Sequence, residues 1–353
     1  LFTKFLSGEN GTIGSVLSII FSQVLRPGAR FLSESSYMNT PIPSSGNVVF
    51  EKAGYESVFL YGGKLGWRDL GRFLQVQGFD QLWGAKEIVA QSPHLQALKP
   101  RELGNEWGIF DEYLLDFLKV KLTSATKPQF IVVLTTSNHP PFEYPLHFKP
   151  QPFQWSEEQL AQISLTKEMA NQRLESLQYA NQKSSEFLDW LKNHSLAKNT
   201  VVALTGDHSF WISKDVPTER LFERNAVPFY LYIPHAIRNQ FEENFVSQTF
   251  GSHEDVLPTL YEIALSQMSY FALGEVLLWP KVLSNMIQNS SFALNSSDMI
   301  ANTQGLLFNQ LLYCWNASQT SSPCDNDVLL ENLKRKKQAH IAIVDEFLLA
   351  TKK

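Results

Sequence analysis

The sequence has no apolar run long enough to cross a bilayer, and its first residues lack the basic-then-apolar order of a signal peptide. It has no excess of positive charge. Its 30 Lys and Arg stand against 35 Asp and Glu, a formal net charge of −5 with a pI near 5.9, so nucleic-acid binding has no electrostatic support. The one dense basic run, Lys334-Arg335-Lys336-Lys337, reads as the solvated face of a terminal helix. No internal repeat is apparent. Cysteine is scarce: Cys314 and Cys324 lie close together in a polar loop with Asn316, Ser318, Ser321 and Pro323. That spacing is compatible with a local disulfide and an oxidising compartment; two free thiols in a cytosolic loop is the other reading. The chain opens on Leu1-Phe2-Thr3-Lys4 without an initiating Met, which leads to the expectation of an upstream targeting or anchoring segment outside this sequence.

What is present is a globular chain of 353 residues, 44% hydrophobic, enough for a large core and a smaller second unit. It alternates strand-like and helix-like stretches. The central stretch is Val201-Val202-Ala203-Leu204-Thr205, a run that reads as a buried strand, followed by Gly206-Asp207-His208. Asp207 and His208 thus fall at a strand's carboxyl end, where open α/β sheets bind ligands. An acidic and an imidazole group side by side there can hold a metal, or can belong to an ordinary turn.

Other candidates also sit at element boundaries. Thr12 follows the turn Ser7–Gly11 and opens an apolar segment, Ile13 to Leu25, that reads as helix. It is either an N-cap or a nucleophile at a helix start, where an anion is favoured. Val58–Tyr61 reads as a strand ending in Gly62-Gly63, a pair that would let backbone pass close to a ligand. Just beyond, Trp67 and Arg68 suit a phosphate with an attached polyol, or simply start a surface helix. Phe130–Leu134 is the clearest buried strand and leads into Thr135–Phe142, where His139 precedes Pro140-Pro141 and could serve as acid or base or merely face solvent. A long amphipathic helix spans Thr166 to Lys192, Ala226–Pro234 reads as a strand, and Gly251–Leu260 opens a helix with Ser252 as cap and His253 at the boundary.

In order, the chain shows a Gly-Thr turn at Thr12, Ser-Asn-His-Pro-Pro-Phe at 137–142, Thr-Gly-Asp-His at 205–208 and Ser-His-Glu-Asp-Val-Leu-Pro-Thr at 252–259. Tyr61-Gly62-Gly63 and Trp107-Gly108-Ile109-Phe110-Asp111 fit the same pattern. Over residues 1 to about 275 this resembles the extracytoplasmic catalytic domain of the lipoteichoic acid synthase and phosphoglycerol transferase family, within the alkaline phosphatase and sulfatase superfamily. The resemblance implies an α/β fold, a mixed, mostly parallel sheet sandwiched by helices, at residues 1–275, and a small C-terminal α+β subdomain at 276–353. The latter would hold a few antiparallel strands around Leu306–Tyr313 and a final helix at 327–349, after an Asn- and Ser-rich stretch at 284–297.

The resemblance also implies roles. Thr12 is the expected nucleophile and metal-bound oxygen, Asp207 and His208 are metal ligands, and His139 stabilises charge or moves a proton at the phosphoryl group. Trp67, Arg68 and His253 are the expected substrate-pocket residues. The cofactor is a divalent metal, with manganese the first choice and magnesium or zinc the alternatives. The family's acidic ligand from an earlier strand has no counterpart in the eleven residues before Thr12, and Glu9 does not take its place by pattern. The implied donor is an anionic, phosphatidylglycerol-like phospholipid, the acceptor a glycan or glycerol-phosphate polymer, and the location extracytoplasmic, with membrane attachment through a segment outside this chain. Alternatives are a phosphoethanolamine transferase, another sulfatase-superfamily hydrolase, or a non-catalytic relative that binds a headgroup or glycan. A formylglycine sulfatase is disfavoured because position 12 is neither Cys nor Ser.

Overall fold

The computed structural model of the chain describes residues 1–210, 215–241, 249–265, 268–278 and 292–352. Twelve strands run through the described residues. They are β1 (Lys4–Leu6), β2 (Glu56–Tyr61), β3 (Gln81–Trp83), β4 (Gln129–Leu134), β5 (Val202–Thr205) and β6 (Phe229–Tyr232), then β7 (Phe250–Ser252), β8 (Ala293–Asn295), β9 (Met299–Ala301), β10 (Gly305–Phe308), β11 (Leu311–Trp315) and β12 (Ser321–Pro323). The longer helices are α1 (Thr12–Phe21), α2 (Asp111–Ser124), α3 (Lys167–Asn193), α4 (Val256–Ala264) and α5 (Asp327–Ala350). The expected class is observed: a mixed α/β fold with parallel strands and helices, and an antiparallel sheet at the C-terminal end.

Contacts group the chain into two compact units, one built from Leu1–Val49, a segment beginning at Ala197 and the chain from Val216 onward, the other from Phe50–Leu196. The expected division at 275/276 is not the one along which the contacts group. The reason is packing. Strands β8 to β12 form a five-stranded antiparallel sheet, and alternate residues on it face two ways, as strand geometry requires. One face, with Met299, Ala301, Leu306, Phe308 and Tyr313, joins Leu6, Leu221 and Phe250 in a common core. The other, with Leu294, Ile300, Leu307 and Leu312, meets Val24 and the α5 residues Leu329 and Leu333. Residues 284–291 of the Asn- and Ser-rich stretch lie outside the described residues.

In the first unit, β5 pairs antiparallel with β6, β6 bridges antiparallel to β1 through Phe2–Phe229 and Leu6–Ala226, and β1 pairs parallel with β7. Three strands, β5, β1 and β7, therefore point the same way and deliver their carboxyl ends to one edge. Strand β5 is half-buried along its whole length rather than buried as its sequence implied. His253 ties the three ends together. It follows β7, is 0% exposed, accepts from Gly8 N–H at 3.0 Å on Nδ1, and lies 3.0 Å from Gly206 O on Nε2. Helix α1 is a core helix, with Ile13, Val16, Leu17, Ile20 and Phe21 all buried. It stops short of Leu25 because Ser22 turns into the left-handed region (φ 50°) and returns its N–H to Ile19 O. Val24 beyond the turn gives its N–H to the buried Glu254 carboxyl at 3.1 Å.

In the second unit, β3, β2 and β4 form a parallel sheet in that order. Val58 and Leu60 of β2 pack with Leu114 and Leu118 of α2 and Phe187 of α3. All three strands end on the same side, at Gly62-Gly63, Gly84 and the loop from Thr135. The backbone that passes close to Gly62 is the chain's own: Ile109 N–H donates to Gly62 O at 2.8 Å, and a Cβ on Gly108 would lie 1.9 Å from that oxygen. That closeness requires glycine at 108.

Cys314 and Cys324 form a disulfide between β11 and the residue after β12. With a sequence separation of 10, its loop-closure effect on the unfolded chain is about 2–3 kcal/mol. Replacing both cysteines by serine is expected to lower the unfolding free energy in urea by about that amount. A second test concerns His253, whose pKa burial pulls down from 6.5 to about 4, the Gly206 bond offsetting part of the loss. Folding thus favours the neutral ring. The stability it provides is complete above about pH 6.5 and is lost as pH falls toward 4, by roughly 3 kcal/mol at most. Thermal melts across pH 4–6.5 should show that slope, and His253→Gln should flatten it.

Candidate active site

Gly11, not Thr12, holds the N-cap position of α1, with extended backbone and no side chain to offer. The N-cap reading of Thr12 therefore fails. Its hydroxyl instead donates to Asp207 Oδ2 at 2.6 Å, across a separation of 195 residues. This bond joins the turn after β1 to the turn after β5. It also leaves the hydroxyl beside the amide end of α1, where developing negative charge is stabilised. Asp207 is 38% exposed and accepts His208 N–H on its other oxygen at 2.9 Å.

His208 is one-quarter exposed, and its Nε2 lies 3.5 Å from Asp207 Oδ2. Its Nδ1 lies 3.0 Å from Ser209 O. A carbonyl only accepts, so Nδ1 carries a proton and Nε2 is the nitrogen left to ligate a metal, the arrangement that imidazole metal ligands use. A hydroxyl, a carboxylate and an imidazole nitrogen thus converge, a donor set suited to a divalent ion. Among the described residues no group of three His, Cys, Asp or Glu side chains could hold one. Glu9 does not complete the set: its carboxylate accepts the N–H of Asn10 at 2.8 Å, and a Cβ on Gly14 would lie 2.3 Å from its Cγ, so its stem lies over α1.

His253 stands apart from its expected place. With both ring nitrogens engaged by backbone and no exposed surface, it holds the site's loops and has no nitrogen to offer a substrate. Its position in the sequence, one residue past a cap, was informative about a boundary but silent about burial.

The second unit carries the other candidates. Trp67 and Arg68 lie in a short 3-10 turn after β2, with Arg68 (φ 52°) and Asp69 (φ 53°) both left-handed. Such a pair costs about 1–2 kcal/mol per residue and is the kind of backbone found at functional loops. Arg68 is exposed, and the Trp67 ring sits 6.2 Å from that of Tyr61. Burial raises the Tyr61 hydroxyl to about 12, so it remains protonated.

His139 is half-buried in the loop after β4, its ring centroid 3.8 Å from that of Trp107. The loop is fixed at its start by the buried Asp111. One Asp111 oxygen accepts Thr136 N–H and Ser137 N–H, each at 3.1 Å, and Ser137 Oγ receives Asp111's own N–H at 3.0 Å. Burial raises the Asp111 carboxyl pKa despite these donors. It is fixed at its end by Phe142, buried at φ 64°, whose N–H returns to His139 O at 2.7 Å. Neither Trp107 nor Asp111 stood out as a site residue by type; the only signal was the fit of the whole 107–111 segment to a family pattern.

The profile of the Sulfatase family matches residues 35–266. Phosphoglycerol transferase I of Citrobacter koseri is 25% identical over 175 residues, 45% of this chain and 19% of the relative. The chain thus spans about a fifth of the length of that relative. The lipoteichoic acid synthase LtaP from Listeria monocytogenes superposes with a TM-score of 0.69 at 16% identity, covering 97% of this chain and 82% of that one. An alkaline phosphatase superfamily protein from Vibrio parahaemolyticus superposes at 0.72 and 17% identity, covering 99% and 79%. These likenesses show a shared fold. A strand-end edge that presents Thr12, Asp207 and His208 sits within that fold, and the chain belongs to the Sulfatase family.

Proposed function

We propose that this chain is the catalytic part of a metal-dependent phosphoglycerol transferase that acts outside the cytoplasm. The observation that carries the reading is the 2.6 Å bond from Thr12 Oγ1 to Asp207 Oδ2 at the start of α1. It holds a hydroxyl in place, next to the amide end of a helix, with a carboxylate ready to receive its proton. The phosphoglycerol transferase named above supports the donor class, and the disulfide supports an oxidising location.

In the first step Thr12 Oγ1 attacks the phosphorus of a phosphatidylglycerol-like donor. The bond from phosphorus to the diacylglycerol oxygen breaks, that oxygen takes up a proton, and glycerol phosphate remains on Thr12. In the second step a hydroxyl of a glycan or glycerol-phosphate acceptor loses its proton and bonds to the phosphorus, the bond from phosphorus to Thr12 Oγ1 breaks, and Thr12 Oγ1 takes up a proton. Thr12, Asp207 and His208 would hold a divalent cation, manganese first among the choices, which when bound supplies positive charge that favours the ionised hydroxyl. By residue type, His139 is assigned to the proton of the leaving and attacking oxygens, and Trp67 and Arg68 to the glycerol and phosphate of the headgroup.

In the full-length protein, Thr12→Ala is expected to reduce diacylglycerol release from phosphatidylglycerol vesicles at least a thousandfold and to abolish the glycerol-phosphate adduct on the Thr12 peptide seen by mass spectrometry. Its cost in folding stability should stay near 1 kcal/mol, the worth of one hydrogen bond. Unchanged turnover in this variant would refute the nucleophile. Consumption of phosphatidylethanolamine in preference to phosphatidylglycerol would replace the substrate class with phosphoethanolamine. Asp207→Ala and His208→Ala should each weaken manganese binding, followed by electron paramagnetic resonance, at least tenfold. Retained affinity in both would remove the metal from this edge.

A further inference from the structure

Trp107 and His139 come from different loops of the second unit and converge on one atom. The Pro140 carbonyl oxygen receives Trp107 Nε1–H at 2.7 Å and lies 2.9 Å from His139 Nδ1, while the two rings stand 3.8 Å apart at 43°. A carbonyl oxygen has two lone pairs and no proton to give, so both nitrogens are donors and His139 carries its proton on Nδ1. Among the described residues the imidazole has no other hydrogen-bond partner, which leaves Nε2 as its open nitrogen.

We propose that Trp107 is a positioning residue that fixes both the ring plane and the proton placement of His139, so that only Nε2 is presented for proton transfer. This rests on the assignment of His139 to the reacting oxygens made above. The indole is itself held firmly. Trp107 N–H donates to Asn105 Oδ1 at 2.9 Å, and the next residues are locked to β2 by Gly108 and by the Ile109 bond to Gly62. Thr136 Oγ1 donates to Ile109 O at 3.0 Å, which ties the same segment to the start of the His139 loop. The two loops are thus joined at Thr136 and again at Pro140, with His139 between the joints. An imidazole with a single carbonyl partner can rotate or exchange tautomers; a ring wall on one side and a shared acceptor at its edge remove both freedoms.

The test uses two variants of the full-length protein and two readouts. Trp107→Ala removes ring and donor, whereas Trp107→Phe keeps a stacking ring and loses only the indole N–H. Long-range 1H–15N correlation spectra, with His139→Gln to assign the signals, should show the Nδ1–H form in the native protein and a shift toward the Nε2–H form in Trp107→Ala. In phosphatidylglycerol turnover, Trp107→Ala should lower kcat by ~10–100-fold, the usual effect of removing a residue that orients a functional group. KM should stay within about threefold, and Trp107→Phe should fall between the native protein and the alanine variant. A native-like tautomer in Trp107→Ala would overturn the proposal, as would a kcat loss matched by an equal rise in KM. Should Trp107→Ala fail to fold, an unchanged tautomer and kcat in Trp107→Phe would overturn the shared-acceptor role. The spectra need no turnover, so a native protein inactive on this lipid refutes the function proposed above and leaves the tautomer result to decide the role of Trp107.

Discussion

The constraint on which the first unit's site depends is the common direction of β5, β1 and β7. Because β6 runs antiparallel to both β5 and β1, those two end on one side, and β7, parallel to β1, ends there too. Three separate parts of the chain are thereby brought within hydrogen-bond reach, at Thr12, Asp207 and His253. The bonds between them span 195, 245 and 47 residues. None could be formed by local structure. His253 bonds to both flanking turns, and its neutral, fully buried state is the cost of holding them. A ring that protonates there loses its acceptor toward Gly8 and gains a charge without water.

Much of this was legible in the sequence. The Asp-His pair after a β-prone run and the histidine before Pro-Pro each predicted a strand end, and each lies just beyond one; the Gly-Thr turn predicted a helix start, and α1 begins there. What the sequence left open was the use of each side chain. Thr12 is a good cap residue by type, and only the extended backbone at Gly11 shows that the cap lies one residue earlier. His253 could be placed at a boundary, but its pairing with Gly8 and Gly206 depends on strand order, which no local pattern encodes. Trp107 was hidden for a similar reason: its partner is a carbonyl 33 residues away.

The domain division illustrates the same limit. The Asn- and Ser-rich stretch at 284–297 and the strand-like runs around Leu306–Tyr313 read as part of a separate subdomain. The strands are there, antiparallel, and α5 packs on them. Yet their other face shares its core with Leu6 and Phe250, the residues of β1 and β7 that lead into the site. Composition reports which segments can form a sheet; it does not report whether that sheet keeps one face for a distant partner.

Both units use one device to hold their functional loops, a buried carboxylate that accepts two backbone amides. Asp111 accepts Thr136 and Ser137 N–H ahead of His139, and Asp255 accepts Ser252 N–H and Glu275 N–H, each at 2.6 Å, just after His253. Amide donors lower a carboxyl pKa, but burial raises it, and at both positions burial wins. The net upward shift means that burial disfavours the charged form more than the amides favour it. The hold comes from an acceptor oxygen fixed in direction by a short side chain. It satisfies loop amides that would otherwise be buried without partners, each at a cost of about 1–3 kcal/mol. A loop held in this way has little freedom left to adjust. That is why His253 can be held to a single ring orientation by backbone atoms alone, whereas His139, with one backbone partner, is held by the Trp107 ring and their shared acceptor as well.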